Sequence, residues 1–447
     1  MTVPSHRLIE ASVPRYTSYP TAPHFHAGVD GAVVEGWIDA IPHDDAISLY
    51  LHIPFCDRLC WFCACHTKQT LRYEPVAAYL KSLHDEIRLV GERLAGRARV
   101  TAVHLGGGSP TMLRPDDLRA LRQALDASFD VVPDAALSVE VDPNDMDDAR
   151  LDALAGIGLT RASLGIQDFE PRVQKAINRE QSFETTAAVV SGLRDRGVRS
   201  VNLDLLYGLP FQSVETLEAT VGRALSLEPD RIALFGYAHV PWFKKHQTLI
   251  DAAALPDAAQ RLAQATAAAR LIAAAGYQPV GIDHFARPDD GLAIAARAGR
   301  LRRNFQGYTE DSCRTLIGLG PSSISQYREG YAQNAPSTGE YGRLVSRNRP
   351  AAVRGIALRD DDRVRGWVIE RLMCDFAFSA NEAKARFGRS ARPVLAEAAL
   401  LAQSSSGLRR DGERFVVEDG SRVLVRTIAA RFDRFLATCG ARHSAAV

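Results

Sequence analysis

From residue 46 onward, short apolar runs alternate with longer stretches that are apolar on one side only. Runs of strand length fall at 47–53, 100–105, 137–141, 161–166, 201–206 and 232–237. Between and after them, apolar residues at helical spacing cover 76–94, 115–127, 149–155, 183–196, 214–227 and 257–275. Strand alternating with helix implies parallel strands joined by right-handed crossovers. Six such units predict an α/β fold, a partial (β/α)6 TIM-like barrel. In barrels the chemistry gathers at the C-terminal ends of the strands, so unusual residues should follow each run. They do: the cysteine-rich 56–65 follows the first, Gly106-Gly107-Gly108-Ser109 the second, and Glu140-Val141-Asp142-Pro143 the third. Gln167-Asp168, then Asp204 before Tyr207-Gly208, and Tyr237-Ala238-His239 close the other three.

The flanks break this rhythm. Residues 1–45 have weak periodicity, and Pro14-Arg15-Tyr16-Thr17-Ser18-Tyr19-Pro20-Thr21 reads as an extended N-terminal arm. Beyond about residue 278 the pattern is irregular, with a Gly-rich segment at 318–324. The charged run Arg359-Asp360-Asp361-Asp362-Arg363 marks a boundary. After it, helical patterns at 364–374 and 393–403, a strand pattern at 414–417 and an amphipathic stretch at 423–436 predict a small, mainly helical domain with room for a wing. The expected division is an arm over 1–45, a catalytic domain over 46–358 and a C-terminal domain over 359–447.

Composition narrows the class. With 46% hydrophobic and 24% charged residues the chain can build a large core. A formal net charge of +1 supplies no long-range field for nucleic acid or an anionic membrane. No apolar run reaches the length of a membrane span, because Arg270 interrupts the Ala-rich 263–275. Residues 1–10 carry His6 and Arg7 and no secretory apolar core. Seven cysteines, mostly clustered, argue against a secreted disulfide framework. The expectation is a cytoplasmic monomer, with neither nucleic-acid binding nor membrane insertion.

Four of those cysteines lie in Cys56-Asp57-Arg58-Leu59-Cys60-Trp61-Phe62-Cys63-Ala64-Cys65. Thiols this close can wrap an iron–sulfur cluster, three of them leaving one iron open. Zinc competes, since Cys60-x2-Cys63 is half of a zinc site, and redox or structural thiols remain a third reading. Cys313, Cys374 and Cys439 stand alone and read as core or surface thiols. Gly106–Gly108 permits either a ligand or a plain tight turn. Glu140, Gln167, Arg179 and Asp204 read equally as salt-bridged or capping groups and as ligand contacts. Asp204 stands out, because a carboxylate in the apolar strand Asn202-Leu203-Asp204-Leu205-Leu206 is costly without partners. Tyr50 and Phe62 flank the cysteine loop as core aromatics or as stacking surfaces for an adenine-type ring.

The spacing Cys56-x3-Cys60-x2-Cys63, with Phe62 before the third cysteine, resembles the signature of the radical S-adenosylmethionine (SAM) superfamily. Cys65, the 14–21 segment, Glu140-Val141-Asp142-Pro143, Asn178-Arg179-Glu180, Asp283-His284-Phe285-Ala286 and Arg303-Asn304-Phe305-Gln306-Gly307-Tyr308 narrow this. Together they resemble the oxygen-independent coproporphyrinogen III oxidase (coproporphyrinogen dehydrogenase) family of haem biosynthesis, from about residue 13 into the C-terminal domain.

The resemblance implies a barrel of radical SAM type. It also implies a [4Fe–4S] cluster on Cys56, Cys60 and Cys63, with Cys65 not a ligand, and two SAM molecules. Their contacts, carried over motif by motif, would be Tyr50, Phe62, Gly107, Gly108, Ser109, Glu140, Gln167, Arg179, Asp204, Ala238 and Ile324. Gln306 would stand beside the second SAM and the substrate, and with the three cysteines and Glu140 would serve catalysis. On this reading Arg179 pairs a methionine carboxylate bidentately and Glu140 accepts from its ammonium.

The implied reaction is the conversion of two propionates of coproporphyrinogen III to vinyl groups, giving protoporphyrinogen IX, by a 5′-deoxyadenosyl radical made from SAM. A low-potential electron donor and an electron acceptor are implied partners. The arm around 15–19 and the C-terminal domain are expected to close the site. Arg15, Lys244, Lys245, Arg287, Arg302 and Arg303 are candidate partners for the propionates, against the ordinary reading of each as a surface charge. The chain departs from the family pattern at Ser109, His66 and Ser312-Cys313-Arg314-Thr315. The alternative is a haem chaperone of the same branch, since one fold hosts both roles.

Overall fold

The computed structural model describes residues 13–404 and 407–436. The 1–12 segment and Cys439 lie outside the described residues. Six parallel strands run in sequence order: β1 (Asp45–Ile53), β2 (Ala98–Gly107), β3 (Asp130–Val141), β4 (Arg161–Gln167), β5 (Ser200–Tyr207) and β6 (Arg231–Gly236). After each comes a helix: α1 (Glu74–Leu94), α2 (Pro115–Ser128), α3 (Asp148–Gly156), α4 (Phe183–Asp195), α5 (Val214–Ser226) and α6 (Ala258–Ala274). Helix starts follow their capping chemistry. Ser213 and Asp257 close capping boxes with Thr216 and Gln260, Ser182 and Asp147 cap α4 and α3, and Pro115 opens α2.

The six-unit core matches the expected architecture, and six more strands extend it. On the β6 side lie β7 (Gln278–Val280) and β8 (His284–Ala286), with β8 antiparallel to β6. On the β1 side lies β9 (Thr315–Leu319), parallel to β1, followed by antiparallel β10 (Ile324–Gln326), β11 (Gly330–Asn334) and β12 (Ala352–Ala357). The sheet therefore stays open, with β12 and β7 as its edges. Periodicity overlooks β9 because it is short, has no helix before it and ends in glycines. Gly320 has φ +93°, and a Cβ there would stand 2.7 Å from the His52 carbonyl oxygen and the Tyr79 hydroxyl.

The strand alternation divides the sheet into two faces. Ile47, Leu49, Leu51 and Ile53 are at most 1% exposed and pack toward the helices, each contributing roughly 2 kcal/mol by burial. Their neighbours Ser48, Tyr50 and His52 point the other way. Ser48, with His104, Ser138, Ser163 and Asn202, lines an interior cavity of about 320 Å³. The sequence pattern thus encodes both the core and a hollow fit for a polar ligand.

Beyond residue 359 the helices Asp360–Asp375, Ala380–Phe387 and Ala391–Gln403 and a three-stranded antiparallel sheet enclose a second apolar cluster. Two of those strands, Leu408–Asp411 and Arg414–Val417, form a wing-like hairpin. Val13, Tyr16 and Tyr19 of the arm belong to this cluster, and the Tyr16 hydroxyl donates to Asp433 at 3.0 Å. Cys374 is buried beside it and Cys313 is half-buried.

One buried group ties α1 to the added strands. Glu86 is 2% exposed and accepts from the Gly320 N–H at 2.6 Å, the Tyr341 hydroxyl at 2.7 Å and the Asn334 amide at 2.8 Å. Burial raises its pKa to about 7 despite these donors. The unfolded value is about 4.3. A carboxyl with a raised folded pKa contributes stability that is present below the unfolded pKa and is lost as pH rises through the folded one. Glu86→Gln has no proton to lose, so it should show a constant offset and lack this slope. In urea unfolding between about pH 4.5 and pH 8, wild type should lose about 3 kcal/mol relative to the variant.

Candidate active site

Because β1 to β6 are parallel, their C-terminal ends form one rim, and the cysteine loop leaves β1 at that rim. Nearly every carbonyl along the loop has a donor. Pro54 accepts from Lys68 N–H, Phe55 from Ser109 N–H, Cys56 from Thr70 N–H and Leu59 from the Asn178 amide, all between 2.7 and 2.9 Å. The segment after β6 supplies three more. Lys244 Nζ donates to Cys65 O at 2.7 Å, His246 Nε2 to Cys63 O at 2.7 Å and Gln247 Nε2 to Phe62 O at 2.9 Å. A loop satisfied in this way is held in one conformation.

The glycine run makes this possible. Gly108 N–H donates to Ile53 O at 2.7 Å, and a Cβ on Gly108 would stand 2.4 Å from the Phe55 oxygen. Gly107 has φ +116°, and a Cβ there would meet the His52 ring at 2.5 Å. The run admits the cysteine loop itself, which explains its composition without a ligand.

Each of the three superfamily-type thiols faces a polar partner. Cys56 Sγ lies 3.1 Å from Thr67 Oγ1, Cys60 Sγ accepts from Arg179 Nη1 at 3.8 Å, and Cys63 Sγ accepts from Cys65 N–H at 3.4 Å. Burial pushes the Cys56 thiol up to about 12 and raises Cys60 against the pull of Arg179. Hydrogen bonding from Cys65 lowers Cys63 to about 7. Among the described residues, no three Cys or His side chains bring ligand atoms within 4.8 Å of one another. Donors about 2.3 Å from a single zinc ion sit only about 3.8 Å apart. The wider spread suits a larger inorganic body, and donors aimed at sulfur are the means by which a protein tunes such a cluster.

Around the loop the predicted residues fall into groups. Tyr50 on β1 stacks on His104 with ring centroids 5.7 Å apart, and its hydroxyl lies 3.0 Å from His52 Nδ1. His52 Nε2 donates to His66 O at 2.8 Å and burial lowers its pKa, so the ring is neutral and Nδ1 accepts from Tyr50. Glu140 accepts from Gly107 N–H at 3.0 Å and lies 3.4 Å from His104 Nε2. Burial pushes its pKa up, but His104 and the Gly107 N–H outweigh this and hold it below the usual carboxylate range. Glu140 is thus an ionised acceptor.

Arg179 is buried, and its terminal nitrogens reach Asp142 at 2.8 Å, Gly165 O at 2.6 Å and Gln181 at 3.1 Å. A bidentate carboxylate clamp would require these bonds to be exchanged. Gln167, with φ +68°, approaches Gly165 from the same side. Ser109 is 5% exposed and donates to Asp145 at 2.6 Å. Phe62 packs with Trp61 against Leu206, Tyr237 and Ile250, and Ala238 follows Tyr237.

Asp204 has the partners its apolar strand demands, Ser163 at 3.0 Å and Asn202 at 2.7 Å, and burial still raises its pKa. Gln306, exposed in the turn between Arg302–Asn304 and Gly307–Thr309, lines the same interior cavity as Ser163 and Asn202. Ile324 stands apart on β10, packed in a cluster with Phe25 and Tyr331, while its backbone lies against Gly318 opposite Tyr50.

Comparison with known proteins decides the family. The radical SAM superfamily model matches residues 50–224. The oxygen-independent coproporphyrinogen III oxidase of Paracoccus denitrificans is 49% identical over 98% of both chains. The anaerobic coproporphyrinogen III oxidase 1 of Cereibacter sphaeroides is 46% identical over 98% of this chain and 97% of its own. The chain belongs to the oxygen-independent coproporphyrinogen III oxidase family. The solved structure of the Escherichia coli coproporphyrinogen III oxidase, described as a radical SAM enzyme, superposes with a TM-score of 0.90. It covers 95% of this chain and 100% of its own, at 36% identity. Membership of this family carries a [4Fe–4S] cluster and SAM as cofactors.

Sequence reasoning missed the grip on the loop from the segment after β6. Gln247 gave no signal, Lys244 read as a substrate cation, and His52 and His104 passed as strand residues, although polar residues alternating in apolar strands mark an inward face. His66, a departure from the family pattern, is anchored by its Nε2 donating to Pro336 O at 2.7 Å. Gln247 is fully buried, and its oxygen also accepts the Val240 N–H at 2.6 Å. Gln247→Leu strands both backbone groups and should cost about 3 kcal/mol. Urea unfolding together with iron content per chain checks this, with both expected to fall.

Proposed function

We propose that this chain converts coproporphyrinogen III to protoporphyrinogen IX without oxygen, in haem biosynthesis, as an oxidoreductase of the radical SAM type. The observation that carries this reading is near full-length relationship to oxidases of that name, joined to a three-thiol loop on the barrel rim. In the overall chemistry a hydrogen leaves the β-carbon of a propionate. Carbon dioxide and one further electron then depart, and a vinyl group remains. Two propionates react in turn, and an acceptor takes the electrons. The cluster and SAM, once bound, supply the hydrogen-abstracting radical.

The chain's own residues do the rest. We assign the cluster to Cys56, Cys60 and Cys63, with Cys65 contributing its N–H to Cys63 sulfur rather than its thiol as a ligand. Glu140, held ionised, is suited to accept from the SAM ammonium. Asp204, bonded to the cavity-lining Ser163 and Asn202, offers acceptors for ribose hydroxyls. Arg179 acts through Asp142, Gly165 and Cys60, a positioning role in place of the clamp. The reading includes two SAM molecules, with Gln306 beside the second. A haem-chaperone role has less behind it, because relatives aligned over nearly the whole chain carry the oxidase name.

Closure by the arm and the C-terminal domain belongs to the same proposal. Tyr16 and Tyr19 sit in the C-terminal cluster, so truncating the arm would damage that core as well as the lid. Point changes are the cleaner probe. Among the described residues no helix is long and apolar enough to cross a membrane.

Reconstituted protein, incubated anaerobically with SAM, a low-potential reductant and coproporphyrinogen III, should yield protoporphyrinogen IX and 5′-deoxyadenosine. Deoxyadenosine without protoporphyrinogen IX, even with an added electron acceptor, overturns the reading. Equilibrium dialysis of SAM should approach two molecules per chain. Cys56→Ser, Cys60→Ser and Cys63→Ser should each abolish retention of iron and acid-labile sulfide, while Cys65→Ser keeps most of both.

A further inference from the structure

A second cavity, of about 440 Å³, lies where four parts of the chain meet. Its walls are the end of β6 at Gly236 and Tyr237, helix α6, the turn before β8, and the C-terminal residues from 422 to 426, with Arg15 reaching in from the arm. Tyr237 both lines this cavity and packs in the cluster that holds Trp61 and Phe62 of the cysteine loop. The cavity therefore adjoins the site described above.

Its charge is one-sided. Arg15, Arg261, Arg303, Arg422 and Arg426 line it, and Asp283 is the acidic residue among its lining. Arg15 donates to Gly236 O at 2.9 Å and Arg261 to Tyr237 O at 2.9 Å, so both spend their bonds on neutral carbonyls. Arg303 lies over the Tyr308 ring at 4.4 Å, and its Nε and Nη1 are buried with no hydrogen-bond partner among the described residues. Arg426 donates to Val13 O at 2.7 Å and anchors the arm.

Burial lowers the pKa of Arg15 and Arg261, and repulsion from neighbouring guanidiniums adds to it. Among the described lining, Arg15, Arg261 and Arg303 outnumber the single carboxylate of Asp283, and buried excess charge of this kind is relieved by a negatively charged partner. The remaining wall is apolar, from Leu234, Leu262, Ala265 and Ala269. An inorganic anion has no use for that wall, whereas a hydrocarbon ring edge bearing carboxylates matches both halves.

We propose that this cavity seats a carboxylate-bearing edge of the porphyrinogen, with Arg15, Arg261 and Arg303 as its carboxylate contacts. The proposal rests on the oxidase reading and sorts the candidate cations. Arg302 is paired with Glu370 at 2.7 Å, Lys244 holds the cysteine loop, and Arg287 donates to Pro229 and Glu228 carbonyls. Arg261, which no motif pointed to, takes their place. Because Arg15 comes from the arm and the 422–426 segment from the C-terminal domain, the pocket is complete only when both are docked.

The test uses the reconstituted full chain. Arg261→Gln and Arg303→Gln should each raise the KM for coproporphyrinogen III roughly 10- to 100-fold, the weight of a charge-assisted bond. The kcat should stay within about threefold, as for an interaction made equally in ground and transition states. Iron content and SAM affinity should not move, and Arg303→Lys should recover much of the KM. An unchanged KM in both glutamine variants overturns the proposal. So does a shift in SAM affinity, or a change confined to inhibition by inorganic phosphate. Anaerobic ultrafiltration of coproporphyrinogen III gives a second reading that needs no turnover. Equal binding by wild type and both variants rejects the pocket, whereas absence of product from wild type rejects the oxidase reading instead. Should Arg303→Gln lose iron through misfolding, Arg303→Lys and Arg261→Gln carry the comparison.

Discussion

Backbone can approach backbone at the rim of this barrel only because Gly108 carries no side chain. Its N–H reaches Ile53 O, and the next N–H, that of Ser109, reaches Phe55 O. Those two bonds fix the direction in which the chain leaves β1. Everything placed by the cysteine loop depends on that departure. Gly107 then presents its own N–H to Glu140, so one turn orders both the loop and the carboxylate beside it. A methyl group at Gly108 would have to displace the loop backbone or break the β1–β2 register, and both changes move the thiols.

The same economy governs the electrostatics. The strands carry polar residues on their inner faces, and several of these are paired with one another or with the segments that follow the strands. Asp204 holds Ser163 and Asn202, and Arg231 holds Asp290 and Glu310. Paired groups of this kind keep the interior open without leaving charges unsatisfied. In the second cavity Arg15, Arg261 and Arg303 outnumber the carboxylate of Asp283, an imbalance that the proposed substrate carboxylates would offset.

Much of this was legible in the residues. Helices α1 to α6 begin and end within two residues of the periodic stretches, because capping residues such as Ser213 and Asp257 punctuate them. Strands β1 and β4 to β6 were equally plain. The first half of β3, 130–136, was not, since its residues are mostly only partly buried and include Pro133. Strand β9 was hidden by its glycines. The cysteine spacing announced an inorganic centre, and family resemblance supplied its partners. Spacing could not show that Ser109 and Arg179 are committed to Asp145 and Asp142. Nor could it show that Gln247, 185 residues from Phe62, clamps the loop. Such contacts arise between segments far apart in sequence, where no local pattern carries the pairing.

The arm illustrates how a weak local signal can conceal a strong tertiary one. Taken alone, residues 13–21 offer two prolines, two tyrosines and little periodicity. In the fold Val13, Tyr16 and Tyr19 complete the apolar core of the C-terminal domain, while Arg15, between them, turns the other way to Gly236. The apolar residues recur at every third position rather than in strand alternation, and the chain turns between them at Tyr16, whose φ is +48°. That turn makes the arm the link by which docking of the C-terminal domain and placement of a cation at the end of β6 become a single event. A substrate carboxylate that binds Arg15 would therefore favour the docked arrangement over any undocked one, by linkage. The closed site that a reactive radical requires would then be assembled by the substrate itself.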